Sequence, residues 1–308
     1  MAESPPRPLP AATPALSVGQ IPPAPKTKSL LQRIATGLGV LAVTFAATFF
    51  PGGLVFALSV AAICVIAANE FYRAVRRQGA EPSDFLGFLA VVLFQLGAWM
   101  RGTNALDIFL PAFLVLLVLA AMLVELVKPK HTPILNIGAT LLGSIYIGWL
   151  FSYLVLIHGS TSLAVAPIAG TTPGEWLVVF VVAITSSSDV GGLFFGNAFG
   201  RRKLAPSISP SKTWEGAIGG VALATLVGGL IGAWIHLPVG FSIATGAVLA
   251  AVGLLGDLCE SALKRELGVK DFGVILPGHG GMLDRVDSIL FTAPVAYYLF
   301  QLLAASRL

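Results

Sequence analysis

Apolar residues in this chain do not alternate with polar ones; they run on in stretches of about 17 to 25 residues, separated by short polar segments. A helix rising 1.5 Å per residue needs about 20 such residues to cross a ~30 Å hydrocarbon layer. Nine runs meet or approach that length, near 33–50, 54–73, 84–100, 105–127, 134–157, 175–199, 215–235, 241–264 and 283–304. They predict an all-α, polytopic integral membrane protein with about nine transmembrane helices. Glycine interrupts several runs, and Gly216, Gly219, Gly220 and the Gly228-Gly229 pair mark the seventh as a helix that packs closely on a neighbour.

Composition sharpens this picture. A mean hydropathy of +0.87 and 56% hydrophobic residues leave no room in 308 residues for a separate soluble domain. Residues 1–28 differ: Pro5-Pro6, Pro8, Pro10, Pro14 and Pro22-Pro23 give a tail that cannot pack a core and is expected to be disordered. That tail lacks the compact apolar region of a cleavable signal peptide. Residues 29–308 are read as one transmembrane domain. Cys64 and Cys259 lie far apart inside apolar runs, so no disulfide framework is indicated.

Loop charge predicts orientation. Lys26, Lys28 and Arg33 precede the first run, and Arg73, Arg76 and Arg77 follow the second. Lys128 and Lys130 follow the fourth, Arg201, Arg202, Lys203 and Lys212 the sixth, and Lys264, Arg265 and Lys270 the eighth. With nine crossings all of these share one side, and the opposite loops hold little beyond Arg101. The positive-inside rule makes the basic side and the N-terminus cytoplasmic, with Arg307 at an outer C-terminus, in a bacterial-type inner or plasma membrane.

Only 11% of residues are charged, yet Ser261–Ser288 packs Lys264, Arg265, Lys270, Arg285, Glu266, Asp271, Asp284, Asp287 and His279 between two apolar runs. On a helix Asp257, Glu260, Ser261 and Lys264 share one face, as do Asp284, Asp287 and Ser288. Two facing carboxylate stripes repel unless a cation lies between them, and Mg²⁺ is the usual oxygen-ligated partner of phosphates. Lys264, Arg265, Lys270 and Arg285 are the residue types that hold phosphates, and Gly278, Gly280 and Gly281 let backbone approach a ligand.

A second polar group begins at Asp189, deep in the sixth run, where a carboxylate should face a polar cavity or a partner; a structural pairing to Lys or Ser is the alternative. Pro210 suits a first helical turn capped by Ser209, which would present Ser209, Ser211, Lys212 and Thr213 at an anion-binding helix start. Asn69-Glu70, near the end of the second run, is read most simply as snorkelling to the interface, with a supporting contact to the site as the other reading.

The order Ser261, Leu263, Lys264-Arg265, Lys270-Asp271, Gly273, Leu276-Pro277, His279-Gly280-Gly281, Asp284-Arg285, Asp287 resembles the signature of the phosphatidate cytidylyltransferases. Gly196, Gly200, Pro206 and Ser207–Gly216 resemble the same family, with Gly192-Leu193 where it commonly has Ala-Tyr. The two regions span about 185–290. The resemblance implies transfer of a cytidylyl group from CTP to phosphatidate, giving CDP-diacylglycerol and pyrophosphate for phospholipid synthesis. It implies a catalytic domain at 29–308 with its active site at the cytoplasmic ends of the C-terminal helices. Asp257, Asp284 and Asp287 are then expected to hold Mg²⁺ or a pair of metal ions. Asp257, Asp284, Lys264 and Arg265 are the expected catalytic groups. Lys212, Ser209, Ser211, Lys270, Arg285, His279, Gly280, Gly281 and Asp189 are expected to bind substrate, His279 by positioning or donating to phosphate rather than as a base. CTP, phosphatidate and membrane lipid are the expected partners, without nucleic acid, and Gly-rich helix faces would permit a homodimer.

Two other readings stay open. A CTP-dependent lipid or polyprenol kinase would release CDP instead of pyrophosphate. An ion-coupled transporter would place its charges near the midplane and show paired repeats, and no internal repeat is evident.

Overall fold

The computed structural model describes residues 42–100, 106–127, 132–163, 165, 169–273 and 280–306. The expectations for the tail to residue 28, most of the first apolar run, Arg101, Lys128, Lys130, His279 and Arg307 lie outside the described residues. After a short helical stretch at 42–48 come α1 (Leu54–Arg76), α2 (Asp84–Trp99), α3 (Leu106–Leu126) and α4 (Pro133–His158). They are followed by α5 (Pro173–Phe199), α6 (Trp214–Trp234), α7 (Val239–Glu266) and α8 (Leu283–Ala305). Six of these, α1 and α4 to α8, are long and apolar enough to cross a membrane. Helix α2 and the Ala112–Leu126 part of α3 are shorter apolar helices. Among the described residues six helices are thus both long and apolar enough to cross, where the sequence predicts eight crossings over the same stretch.

Helices form because lipid offers no hydrogen-bond partner to an open backbone, and local residues set their ends. Pro173 opens α5 behind a Thr172 cap, whose backbone N–H donates to Glu175 Oε2 at 2.9 Å. Within α4, Ser144–Trp149 forms a π-helical turn, where buried Gln95 donates from Nε2 to the Gly148 carbonyl at 2.7 Å.

Packing is tightest where side chains are absent. Helices α5 and α6 meet through Gly191, Gly192 and Gly196 on one side and Gly216, Gly219 and Gly220 on the other. A β-carbon on Gly220 would sit 2.7 Å from the Ser188 carbonyl oxygen, so only a bare backbone fits. Helix α6 packs in turn on α7 and α7 on α8, with Gly256 against the Phe291 ring. Helix α8 reaches α4 through paired Tyr153 and Tyr298 hydroxyls 2.9 Å apart.

Three basic segments gather at one end of this bundle. Gln78, just past α1, donates to the Leu267 carbonyl beyond α7 at 3.0 Å, and Arg265 Nε donates to the Ile208 carbonyl between α5 and α6 at 3.0 Å. The opposite end is joined by uncharged contacts such as Trp99 Nε1 to the Gly52 carbonyl at 2.9 Å.

One expectation fails here. Ser209 does not cap a helix; Ser209–Thr213 is strand β2, antiparallel to β1 (Lys203–Ala205), in a two-stranded hairpin added to the otherwise helical fold. Pro210 has no N–H to give a ladder, and a two-stranded hairpin tolerates it. The cap lies four residues later, where Thr213 Oγ1 accepts from Gly216 N–H at 3.1 Å and α6 begins at Trp214. Cys64 and Cys259 are both free thiols.

Candidate active site

The last turns of α7 carry the predicted stripe. Ser261 Oγ donates to Asp257 Oδ1 at 3.4 Å, and Lys264 Nζ donates to Glu260 Oε2 at 2.7 Å, both across one helical turn. Glu260 is fully buried and Lys264 nearly so. A charge this deep needs an opposite one beside it, and Lys264 supplies it twice, because the same ammonium donates to Asp284 Oδ1 at 3.0 Å.

Asp284 sits in the first turn of α8 and is the hub of the preceding loop. Its Oδ2 accepts from Phe272 N–H at 3.1 Å and Gly281 N–H at 2.9 Å. Gly280, at φ 84°, turns the chain into this arrangement. One residue earlier, the Leu283 N–H donates at 3.0 Å to Oε2 of Glu70, which comes from α1. Glu70 is 3% exposed, so its carboxylate does not snorkel; it is buried under the loop, against Gly273 and Gly281. Its signal in the sequence was a lone carboxylate among apolar residues.

Between α5, α6, α7 and α8 lies a cavity of about 340 Å³. Asp189, Asp257, Asp284, Asp287 and Arg285 line it, with Ser211 and Lys212 of β2. Asp189 opens to the cavity and accepts from Ser288 Oγ at 3.5 Å. Lys212 Nζ is 2.6 Å from Asp257 Oδ2. The structure therefore brings together predicted residues from four elements, α5, β2, α7 and α8. Ser209, Arg265 and Lys270 do not line the cavity: Ser209 is buried in the hairpin, Arg265 braces Ile208, and Lys270 is exposed on the loop after α7.

Asp257, Glu260 and Asp287 converge so that one carboxylate oxygen from each lies within 4.8 Å of the others. Oε1 of Glu260 is buried without a donor among the described residues. Three carboxylate oxygens at this spacing suit a hard cation that takes oxygen ligands. The charge balance agrees. Asp189, Asp257, Glu260, Asp284 and Asp287 face Lys212, Lys264 and Arg285, a formal excess of two negative charges that one divalent cation cancels. Glu260 is the member of the trio that was not singled out as a ligand in the sequence, although it lies on the predicted stripe.

Membrane-crossing helices around a cavity walled by carboxylates, an ammonium and a guanidinium define an integral membrane protein with a charged site between its C-terminal helices. The chain belongs to the cytidylyltransferase family, whose model matches residues 31–303. It is 35% identical over 292 residues to the phosphatidate cytidylyltransferase of Synechocystis sp., covering 88% of this chain and 97% of that protein. It is 34% identical over 278 residues to the phosphatidate cytidylyltransferase of Bacillus subtilis, covering 88% and 97%. It is 32% identical over 292 residues to phosphatidate cytidylyltransferase 5, chloroplastic, of Arabidopsis thaliana, covering 86% and 70%.

Proposed function

We propose that this chain transfers the cytidylyl group of CTP to phosphatidate, releasing pyrophosphate and leaving CDP-diacylglycerol. The observation that carries this reading is the cavity itself. It joins Lys212 and Arg285 to a carboxylate trio beside exposed Leu193, within a chain similar along most of its length to phosphatidate cytidylyltransferases.

An oxygen of the lipid phosphate attacks the α-phosphorus of CTP, and the bond from that phosphorus to the β-phosphate oxygen breaks. Two polyanions must meet, so charge neutralisation and alignment are the protein's main tasks. Lys212 and Arg285 contact phosphate from opposite walls, Lys212 exchanging Asp257 for substrate. Lys264 stays between Glu260 and Asp284 and fixes both. No general base is required, because the attacking phosphate is already ionised near neutral pH.

Asp257, Glu260 and Asp287 would hold Mg²⁺, which when bound supplies positive charge to the triphosphate and its leaving group. Asp284, whose oxygens are taken by Lys264, Phe272 and Gly281, organises the loop; a second cation would have to displace Lys264 from it. Acyl chains remain in the bilayer beside Leu193, Phe194 and Ile218, whose side chains are exposed on α5 and α6. The positive-inside rule places the basic end, and with it the site, in the cytoplasm where CTP is found.

The test incubates purified protein with labelled CTP, phosphatidate and Mg²⁺, with a chelator arm. A nucleotide-bearing lipid and equimolar pyrophosphate are expected, both absent with chelator. Release of CDP with a newly phosphorylated lipid would assign a kinase instead.

A further inference from the structure

Glu70 belongs to α1, more than a hundred residues before the acidic stretch, and nothing in the reaction above uses it. It nevertheless touches the part of the site on which the other contacts depend. Its Oε2 accepts the Leu283 N–H at 3.0 Å, one residue before Asp284, and the Met282 N–H also faces it. A β-carbon on Gly281 would lie 2.6 Å from that same oxygen, and one on Gly273 would collide with Oε1. The carboxylate is thus wedged between two loop glycines, with the first amides of α8 pointing at it.

Free N–H groups at a helix start require an acceptor, and here the acceptor comes from a different helix. Met282, at the N-cap position, has helical backbone angles and no capping side chain of its own. From Leu283 the contacts run on without a gap. Asp284 holds Lys264, Lys264 holds Glu260, and Glu260 belongs to the trio with Asp257 and Asp287.

We infer that Glu70 is a positioning residue for the transfer reaction: by accepting the Leu283 N–H it sets the first turn of α8, and through Asp284 and Lys264 the trio. This role rests on the cytidylyltransferase reading. It explains why a carboxylate is buried in a segment outside the signature. The working feature is an acceptor at the reach of a glutamate, not negative charge as such.

The experiment compares Glu70→Gln, Glu70→Asp and Glu70→Ala in the full chain, purified into phosphatidate-containing nanodiscs. Glutamine keeps an acceptor at the same reach, whereas aspartate keeps the charge but withdraws it by one methylene. Glu70→Asp and Glu70→Ala should lower kcat by about tenfold or more, as expected for a lost hydrogen bond to a charged acceptor. Glu70→Gln should stay within about threefold of wild type, and KM for CTP should change less than kcat in all three.

Hydrogen exchange supplies a readout that does not need turnover. The peptide carrying Leu283 should exchange faster in Glu70→Asp and Glu70→Ala but not in Glu70→Gln. Should Glu70→Ala fail to fold, the aspartate and glutamine variants decide alone. Aspartate matching wild type, glutamine as damaged as aspartate, or exchange at Leu283 unaltered in Glu70→Asp would each overturn the role. A wild-type protein that makes no nucleotide-bearing lipid would sink the transfer reading while leaving the exchange result to stand or fall separately.

Discussion

Lys212 Nζ lies 2.6 Å from Asp257 Oδ2, an ion pair that ties the β-hairpin to α7 across the cavity wall. The same carboxylate belongs to the trio that suits a cation, so ammonium and metal compete for it. Replacement of the lysine separates the two effects. Lys212→Met should bind Mn²⁺ about tenfold more tightly, a coupling of ordinary size between neighbouring sites. It should also lose about 100-fold or more in turnover, because a phosphate contact is gone. Manganese titration followed by electron paramagnetic resonance checks the first, and the labelled-CTP assay the second. Unchanged metal affinity would show that the pair does not guard the site.

Glu260 and Asp284 divide two roles that a sequence motif runs together. Glu260 has an oxygen without a donor and stands in the trio, whereas both Asp284 oxygens are engaged. Glu260→Gln should therefore weaken Mn²⁺ binding by at least about tenfold, no less than the loss seen when outer partners of metal ligands are removed. Asp284→Asn should weaken Mn²⁺ binding less than Glu260→Gln does, acting only through Lys264, and should raise hydrogen exchange at Phe272 and Gly281. The reverse pattern would make Asp284 the ligand and Glu260 the brace.

How far the site was legible follows from where its periodicities lie. The stripes on α7 and α8 could be read because one helical turn relates their members, and the structure keeps those of α7 in the Asp257–Ser261 and Glu260–Lys264 contacts. The helix positions were legible because a bilayer demands long apolar runs. Two features were not. The hairpin carries Ser209-Pro210, which has the chemistry of a helix cap, and only pairing with Lys203–Ala205 overrides that local preference. Glu70 meets Leu283 across more than 200 residues, and no spacing rule reaches that far.

The α5–α6 contact makes a packing prediction with an internal control. Gly220 has no room for a β-carbon, which would stand 2.7 Å from the Ser188 carbonyl oxygen, while Gly138 has nothing within 4 Å. Gly220→Ala must push the helices apart and should cost about 1–3 kcal/mol, the usual range for overpacking. Gly138→Ala should be neutral or slightly stabilising, since alanine is the better helix former. Thermal unfolding in detergent, followed by loss of monodisperse protein, compares the two. Equal melting would mean that the glycine stripe does not set the helix separation.

Gly281 tests whether the loop needs close approach or merely flexibility. A β-carbon there would meet Glu70 Oε2 at 2.6 Å, the Gly273 nitrogen at 2.7 Å and Asp284 Oδ2 at 2.8 Å. Two of these neighbours are carboxylate oxygens, one held by loop amides and the other by the Leu283 amide that opens α8, so neither can withdraw without giving up a hydrogen bond. Gly281→Ala should therefore lower kcat by about tenfold or more, as a lost hydrogen bond to a charged group would. Gly79, whose φ is 87° but which has open space around it, isolates the conformational part: Gly79→Ala strains a turn without touching the site. It should lower the melting temperature and leave kcat near wild type. A Gly281→Ala enzyme with normal turnover would show that the loop can relax away from Glu70 and Asp284 without disturbing the chemistry.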